Sequence, residues 1–359
     1  MIKNRYFKTN LPTIVHVVLT PKKNDSFFWL SPELEHAITK TLANNQQVLL
    51  FLNKKGLFCF VQCSSCDYIF TCLYCSCFYT LYDNNILKCH RCNHVRTFPE
   101  YCFSCKAGKH MLIKKGVGTQ QLTKHIQKQF PYASTIQLDL SAIHDKKEWN
   151  QTIERINKRE YNIIIGTQLI ARGYHFPHVS TVGIIWADMM LQMPKINACE
   201  AMIQSCIQVS GRAGRELGQG CVYIQTINNG KECSFFHEAD YMSFYQYEIE
   251  FRKLYSFPPF SKMTTIVCRH DNEAIVQGIA QRIYQTLEVY KNNNAYTEDQ
   301  FFIYEPSKGT HYKVKNMYTY VITIRSDTFE KAIKGYYTAK KESNDNDFLF
   351  FVPHTHNIF

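Results

Sequence analysis

Cysteine spacing points most directly to chemistry in this chain. Four C-x-x-C pairs, Cys63 with Cys66, Cys72 with Cys75, Cys89 with Cys92, and Cys102 with Cys105, fall within 43 residues. Two residues between thiols let one tight turn aim both sulfurs at a single ion, and two such turns close a tetrahedral site. Eight thiolates therefore make two structural zinc sites. A disulfide framework is the competing reading, but it suits oxidising compartments rather than this regular spacing. Cys59, Cys77, His90 and His94 stand outside the regular pairs and are read as residues packed around the ligands. A nested arrangement would join the outer four (63, 66, 102, 105) and the inner four (72, 75, 89, 92); spacing alone leaves the pairing open.

A second set of residues points to phosphate. In Gln208-Val209-Ser210-Gly211-Arg212-Ala213-Gly214-Arg215, two arginines stand three apart between glycines that permit close backbone approach. Arginine is always ionised and offers a planar fork of donors, the chemistry that stabilises a transferring phosphoryl group. A lone R-x-x-R would be read as a basic helix end at the surface. Upstream, however, Gly166-Thr167-Gln168 follows an apolar strand and leads to Arg172-Gly173. Amides and a hydroxyl on such a strand-end loop can reach a nucleotide or a nucleic-acid backbone. Asp188 follows another apolar strand, where a polarising role and a plain strand-end cap are both open. Tyr74, Phe78, Tyr79 and Tyr82 are candidates either for stacking on unpaired bases or for covering a metal module's small core.

Positioning these groups calls for an α/β scaffold. Strands are expected at 13–19, 48–52, 161–165, 181–186 and 220–226, and helices at 31–42, 118–130 and 198–209. Ser31 serves as N-cap and Pro32 suits the first turn. The alternation implies a parallel sheet with helices on both faces, spanning 11–56 and 107–227, with the zinc-binding insert at 57–106. From 228 to 359 an aromatic helical stretch (Phe244, Tyr245, Tyr247, Phe251) ends at Pro258-Pro259. The order βαββαβ follows, a small α+β domain.

Composition sets wide bounds. The chain has 359 residues, 45% of them hydrophobic, enough to fill two or three domain cores, and a disordered protein is excluded. Lys and Arg number 41 against 30 acidic residues, a formal charge of +11 that is compatible with a polyanionic partner. No run approaches the roughly 18 apolar residues of a membrane span, so a cytoplasmic protein without a membrane partner is expected. Ten of the 15 cysteines lie between Cys59 and Cys105, a concentration that sets the insert apart from the rest of the chain.

The motifs together resemble the bacterial primosomal replication-restart DNA helicases, the PriA or primosomal protein N-prime family. The resemblance rests on Phe51-Leu52-Asn53-Lys54-Lys55-Gly56, the four cysteine turns with Lys88-Cys89-His90-Arg91-Cys92, and Gly116-Val117-Gly118-Thr119. It extends through Gly166-Thr167-Gln168 to Gly173 and His175-Phe176-Pro177, then the QVSGRAGR run and Pro258-Pro259-Phe260. It implies a RecA-like second helicase lobe of superfamily 2, moving 3′ to 5′ on DNA in replication restart and primosome assembly. Arg212 and Arg215 would then face the γ-phosphate of ATP, with Gln208 sensing the nucleotide, while Gly166, Thr167, Gln168, Arg172 and Gly173 contact nucleotide or DNA. The cofactors implied are two Zn2+, plus ATP and Mg2+ held with a complementary first lobe. The partners implied are forked or single-stranded DNA, primosome proteins, the replicative helicase and single-stranded-DNA-binding protein, with the 228–359 domain on fork DNA.

The chain also departs from the family. It carries no G-x-x-x-x-G-K-[ST] loop and no DEAH-type box, so the phosphate-loop lobe is expected in trans or missing from this chain. Asp139 and Ser141 stand where the family shows an arginine-flanked D-x-D stretch, Asn197 and Ala201 where arginines are usual, and Phe351-Val352-Pro353 where an acidic strand end is usual. The alternative reading is a catalytically inactive zinc-dependent module that binds DNA or primosome proteins.

Overall fold

The computed structural model describes residues 11–20, 27–52, 60–74, 78–81, 86–89, 94–138, 146–167, 175–192, 195–214, 220–236, 241–314, 317–342 and 349–353. The chain divides into two compact units, one within 1–193 and 198–244, the other within 194–197 and 245–359.

In the first unit, β1 (Thr13–Val18) is followed by α1 (Pro32–Ala43) and β2 (Gln47–Phe51). Ser31 caps α1 as its composition predicts, its Oγ accepting the Leu34 N–H at 3.2 Å, with Pro32 in the first turn. Next come β3 (Phe60–Cys63), β4 (Thr80–Leu81), β5 (Ile86–Lys88), β6 (Val95–Thr97) and β7 (Leu112–Lys115). The chain then returns to α/β order with α2 (Thr119–Gln129), β8 (Thr135–Leu138), α3 (Lys146–Asn157), β9 (Ile163–Gly166), β10 (Val179–Ile184), α4 (Ala198–Ser210) and β11 (Cys221–Thr226).

Six strands form one sheet in the order β1-β11-β10-β2-β9-β8, and every pairing is parallel. All residues of β2, β9 and β10 are buried, the signature of a parallel sheet covered on both faces. On one face Leu34 and Ile38 of α1 and Leu122 and Ile126 of α2 share a core with Val48, Leu50, Ile163 and Ile165. Burying each such side chain contributes about 1.5–3 kcal/mol. Gly183 of β10 lets α1 come this close: a Cβ there would stand 2.8 Å from Leu34 Cδ2 and 2.9 Å from Leu50 Cδ2. Gln225, buried in β11, fixes the entry to α1 by accepting the Ser31 N–H and donating to the Trp29 carbonyl.

The cysteine-rich segment leaves the sheet after β2. Its ends are tied by antiparallel pairing of β3 with β7, and β4, β5 and β6 form a small antiparallel sheet inside it. Sequence reasoning passed over β8 and α3. Trp149 and Ile156, seven apart and both buried, were the signal for α3.

The second unit begins within α5 (Tyr241–Leu254), at Tyr245, and continues through β12 (Lys262–His270), α6 (Glu273–Asn293), β13 (Phe301–Ile303), β14 (Ser307–Val314), β15 (Met317–Ser326) and α7 (Phe329–Glu342) to β16 (Leu349–Pro353). Both α6 and α7 pack on one face of an antiparallel sheet, over Ile266, Cys268, Ile322 and Ile324. The expected order βαββαβ needs one correction: β14 is an additional strand. β13 and β14 pair with successive parts of β15, and Pro306, which lacks the N–H a ladder requires, separates them. Ser307–Val314 has no apolar alternation, so its backbone pairing left no mark in the sequence.

Candidate functional site

The outer four cysteines converge. The Sγ atoms of Cys63, Cys66, Cys102 and Cys105 all lie within 4.8 Å of one another, with Cys63 to Cys105 at 3.7 Å and Cys66 to Cys102 at 3.6 Å. A zinc–sulfur bond of about 2.3 Å places tetrahedral sulfurs about 3.8 Å apart, so the donor set fits a closed tetrahedral ion.

The two turns that present these sulfurs are built alike. Asp67 N–H donates to the Cys63 carbonyl at 2.9 Å and Lys106 N–H to the Cys102 carbonyl at 3.1 Å. Asp67 (φ 60°) and Lys106 (φ 63°) both take the left-handed conformation that reverses the chain. Ser65 N–H and Ser104 N–H each lie 3.4 Å from the first sulfur of their turn. Burial pushes the Cys66 thiol up, but the Tyr68 backbone and the neighbouring thiols outweigh it and bring it down to about 7. Its counterpart Cys105 is favoured by the Ala107 backbone, yet its contact with Cys66 drives it the other way and it ends raised.

Of the inner four, Cys72 and Cys89 are buried, and Cys75 and Cys92 lie outside the described residues. Around them, the Tyr79 hydroxyl meets His94 Nδ1 at 2.5 Å, and Tyr74 stands edge-on to the same imidazole. Tyr79 and Phe78 are buried while Tyr74 is exposed. Cys59, Cys77, His90 and Tyr82 lie outside the described residues.

The arginine motif begins where α4 ends. Gln208 is exposed on α4, whereas Arg212 is only 7% exposed in the turn that follows. The turn closes through Arg212 N–H to the Val209 carbonyl and Ala213 N–H to the Ser210 carbonyl. Gly214, at φ 65°, then donates its N–H to the carbonyl of Val179, the first residue of β10, at 2.9 Å. Arg215 lies outside the described residues, as do Gln168, Arg172 and Gly173.

Gly166 and Thr167 occupy the opposite edge of the sheet. Gly166 is the last residue of β9, in register with Phe51, which aligns with Ile184; Val179 aligns with Gln47 at the other end of β2. The four-residue step from Gln47 to Phe51 separates the two sites by at least roughly 13 Å along the strands. Thr167 therefore stands at the opposite strand end from the turn that holds Arg212. The cysteine segment also leaves the sheet at the Gly166 edge, directly after β2, so one edge carries the cysteines and Thr167 and the other carries Arg212.

Asp188 acts as a clasp. Its two carboxylate oxygens accept the N–H groups of Ile227 (3.1 Å) and Asn228 (2.8 Å), closing the exit of β11. Complete burial pushes its carboxyl up to about 7. Of the two readings left open for Asp188, this is a strand-end cap, made on the exit of β11 by partners about forty residues away that local spacing does not identify.

Comparison with known proteins gives one matching family model, the helicase conserved C-terminal domain, over residues 108–216. Replication restart protein PriA of Bacillus subtilis is 33% identical over 306 residues, covering 84% of this chain and 37% of that protein. The PriA of Rickettsia felis is 32% identical, covering 77% and 43%. The chain thus spans less than half the length of these relatives. Among solved structures, the C-terminal domain of the DEAD-box protein Dbp5 is similar at 13% identity and TM-score 0.31, covering 65% of this chain and 86% of that one. Among the described residues no helix is long and apolar enough to cross a membrane.

Proposed function

We propose, because the chain belongs to the PriA family of replication restart proteins and matches their C-terminal part, that it is the second motor lobe of an ATP-dependent 3′ to 5′ DNA helicase. In this reading Arg212 and Arg215 face the γ-phosphate of ATP held with Mg2+ by a first lobe, and Gln208 responds to the nucleotide from the exposed side of α4. Thr167, with Gln168 and Arg172, contacts the DNA backbone. The eight cysteines hold two zinc ions, and the C-terminal domain binds forked DNA. Primosome proteins, the replicative helicase and single-stranded-DNA-binding protein are the partners proposed.

The observation that carries the reading is the division of one sheet into two polar edges. A motor lobe must touch the nucleotide and the nucleic acid at once without confusing them. Arg212 at the start of β10 and Thr167 at the end of β9 stand at opposite ends of the strands, as two separate ligands require. Arg212 is buried on a turn whose backbone is hydrogen-bonded, and an arginine placed beforehand needs little reorganisation when charge develops on a phosphoryl group. Zinc would supply cross-links in place of a hydrophobic core that so small a segment cannot build.

The test is reconstitution. The zinc-loaded chain is mixed with a separately expressed first lobe of the family, and DNA-stimulated ATP hydrolysis is measured, with Arg212→Ala and Arg215→Ala as controls. Turnover by the mixture that both substitutions abolish supports the motor reading. A silent mixture in which the chain still binds forked DNA or a primosome protein replaces it with the zinc-dependent binding module, the reading that the departures at Asn197 and Ala201 favour.

A further inference from the structure

Gly220, at the entry to β11, lies against the arginine turn more closely than any side chain would allow. A Cβ there would stand 2.6 Å from the carbonyl carbon of Ala213, 2.8 Å from the nitrogen of Gly214 and 2.9 Å from the Ala213 Cβ. Ordinary carbon–carbon contact is about 3.5–4.0 Å, and two of the three obstructing atoms are backbone, so no rotamer change relieves the overlap.

Each partner is tied by a backbone hydrogen bond of its own. Thr13 N–H donates to the Gly220 carbonyl at 2.9 Å, holding that residue in the sheet beside β1. Gly214 is pinned from the other side by its N–H to the Val179 carbonyl, in a left-handed conformation that side chains rarely adopt. The turn that begins with Arg212 is therefore clamped between the first residue of β10 and the residue that precedes β11.

We infer that Gly220 is a positioning residue for the arginine motif, setting through the backbone of Ala213 and Gly214 where Arg212 stands relative to the start of the sheet. The functional half of this inference rests on the motor reading above. Any side chain at 220 displaces the turn by about 1 Å, and a misplacement of that order lowers a positioned catalytic step about a hundredfold. In that reading the first lobe holds the nucleotide, so the loss falls on kcat and leaves the KM for ATP within about twofold.

Two measurements test it. On the unmodified chain, amide hydrogen exchange should find the Gly214 N–H protected to the level of the central β9 amides; exchange at the rate of an open loop overturns the clamp. In the reconstituted two-lobe enzyme, Gly220→Ala should lose kcat with KM retained, and trypsin should cleave after Arg212 faster than in the unmodified chain. Gly278→Ala, where a Cβ meets nothing within 4 Å, should change neither. If Arg212→Ala abolishes turnover while Gly220→Ala keeps its kcat, the inference is wrong and the motor reading stands. If Arg212→Ala is also without effect, it is the motor reading that falls. Should Gly220→Ala fail to fold, the exchange measurement decides alone.

Discussion

The ring of Phe60 meets the ring of Trp186 edge to face, with centroids 5.8 Å apart and planes at 85°. Phe60 opens β3 at the root of the cysteine segment, and Trp186 follows β10 at the end of the sheet. Trp29 lies 4.7 Å from Trp186 with the rings tilted at 36°, and Phe78 lies 5.4 Å from Phe60. These rings belong to the same core as Leu34, Val48 and Ile165, so the segment is seated on the lobe's interior at its root.

Phe60→Ala should therefore destabilise the lobe as well as the segment. A buried aromatic removed from a close-packed core costs about 3–5 kcal/mol, including the cavity left behind. Urea unfolding of the metal-loaded chain, followed by tryptophan emission, checks this: Trp29 and Trp186 are both buried in the affected cluster. A change below about 1 kcal/mol would mean that the segment is not seated on the core in this way.

Metal counting separates the two cysteine sets. If the outer four form one zinc site and the inner four another, the native chain should release two equivalents to a colorimetric chelator after thiol modification. The double substitution Cys66→Ser with Cys105→Ser should release one, and adding Cys72→Ser with Cys89→Ser should leave none. Two equivalents retained by the first variant would break the outer set, however close its sulfurs lie.

What the sequence revealed and what it hid divide along a physical line. The C-x-x-C turns, the Ser31 cap and the helix carrying Gln208 depend on neighbours within a few residues, and each left a local pattern. Other features depend on the crossover order β1-β11-β10-β2-β9-β8, which no local spacing encodes. The separation of Thr167 from Arg212 is one, because only parallel register sets the two at opposite strand ends. The Asp188 clasp on Ile227 and Asn228 is another, and so is the approach of Gly220 to Ala213. β14 escaped notice because strand pairing is made by backbone atoms, to which a polar sequence is no obstacle.

Asp188 should give the fold a pH dependence of unusual sign for a carboxylate. Its folded pKa of about 7 lies above the ordinary 3.8 because the site is fully buried. Between those values the folded chain keeps a proton that the unfolded chain has released. The stabilisation is therefore complete below the unfolded value and is lost as pH rises through the folded one. From about pH 5 to pH 8 the loss is about 3 kcal/mol. Asp188→Asn cannot titrate, so thermal unfolding across that range should show the variant weaker at pH 5 and gaining on the native chain as pH rises. A constant gap between the two melting curves would remove Asp188 as the source.

The two edges of the sheet should be separable by substitution. Arg212→Ala in the two-lobe enzyme should abolish ATP turnover and leave DNA affinity, measured by fluorescence anisotropy on a single strand, within about twofold, because the turn begins roughly 13 Å from the Thr167 edge. Thr167→Ala should do the reverse. Losing one hydroxyl contact to a phosphate costs about 0.5–1.5 kcal/mol, a roughly two- to tenfold weaker complex, with the KM for ATP unchanged. A hydroxyl carries no charge, so the slope of affinity against salt should stay as it was, whereas Arg172→Ala should reduce it by about one. Gln208→Ala, on an exposed helix face, should slow turnover without altering unfolding. If Arg212→Ala and Thr167→Ala instead weaken the same ligand together, the two edges serve one site, and the assignment of nucleotide to one and DNA to the other is wrong.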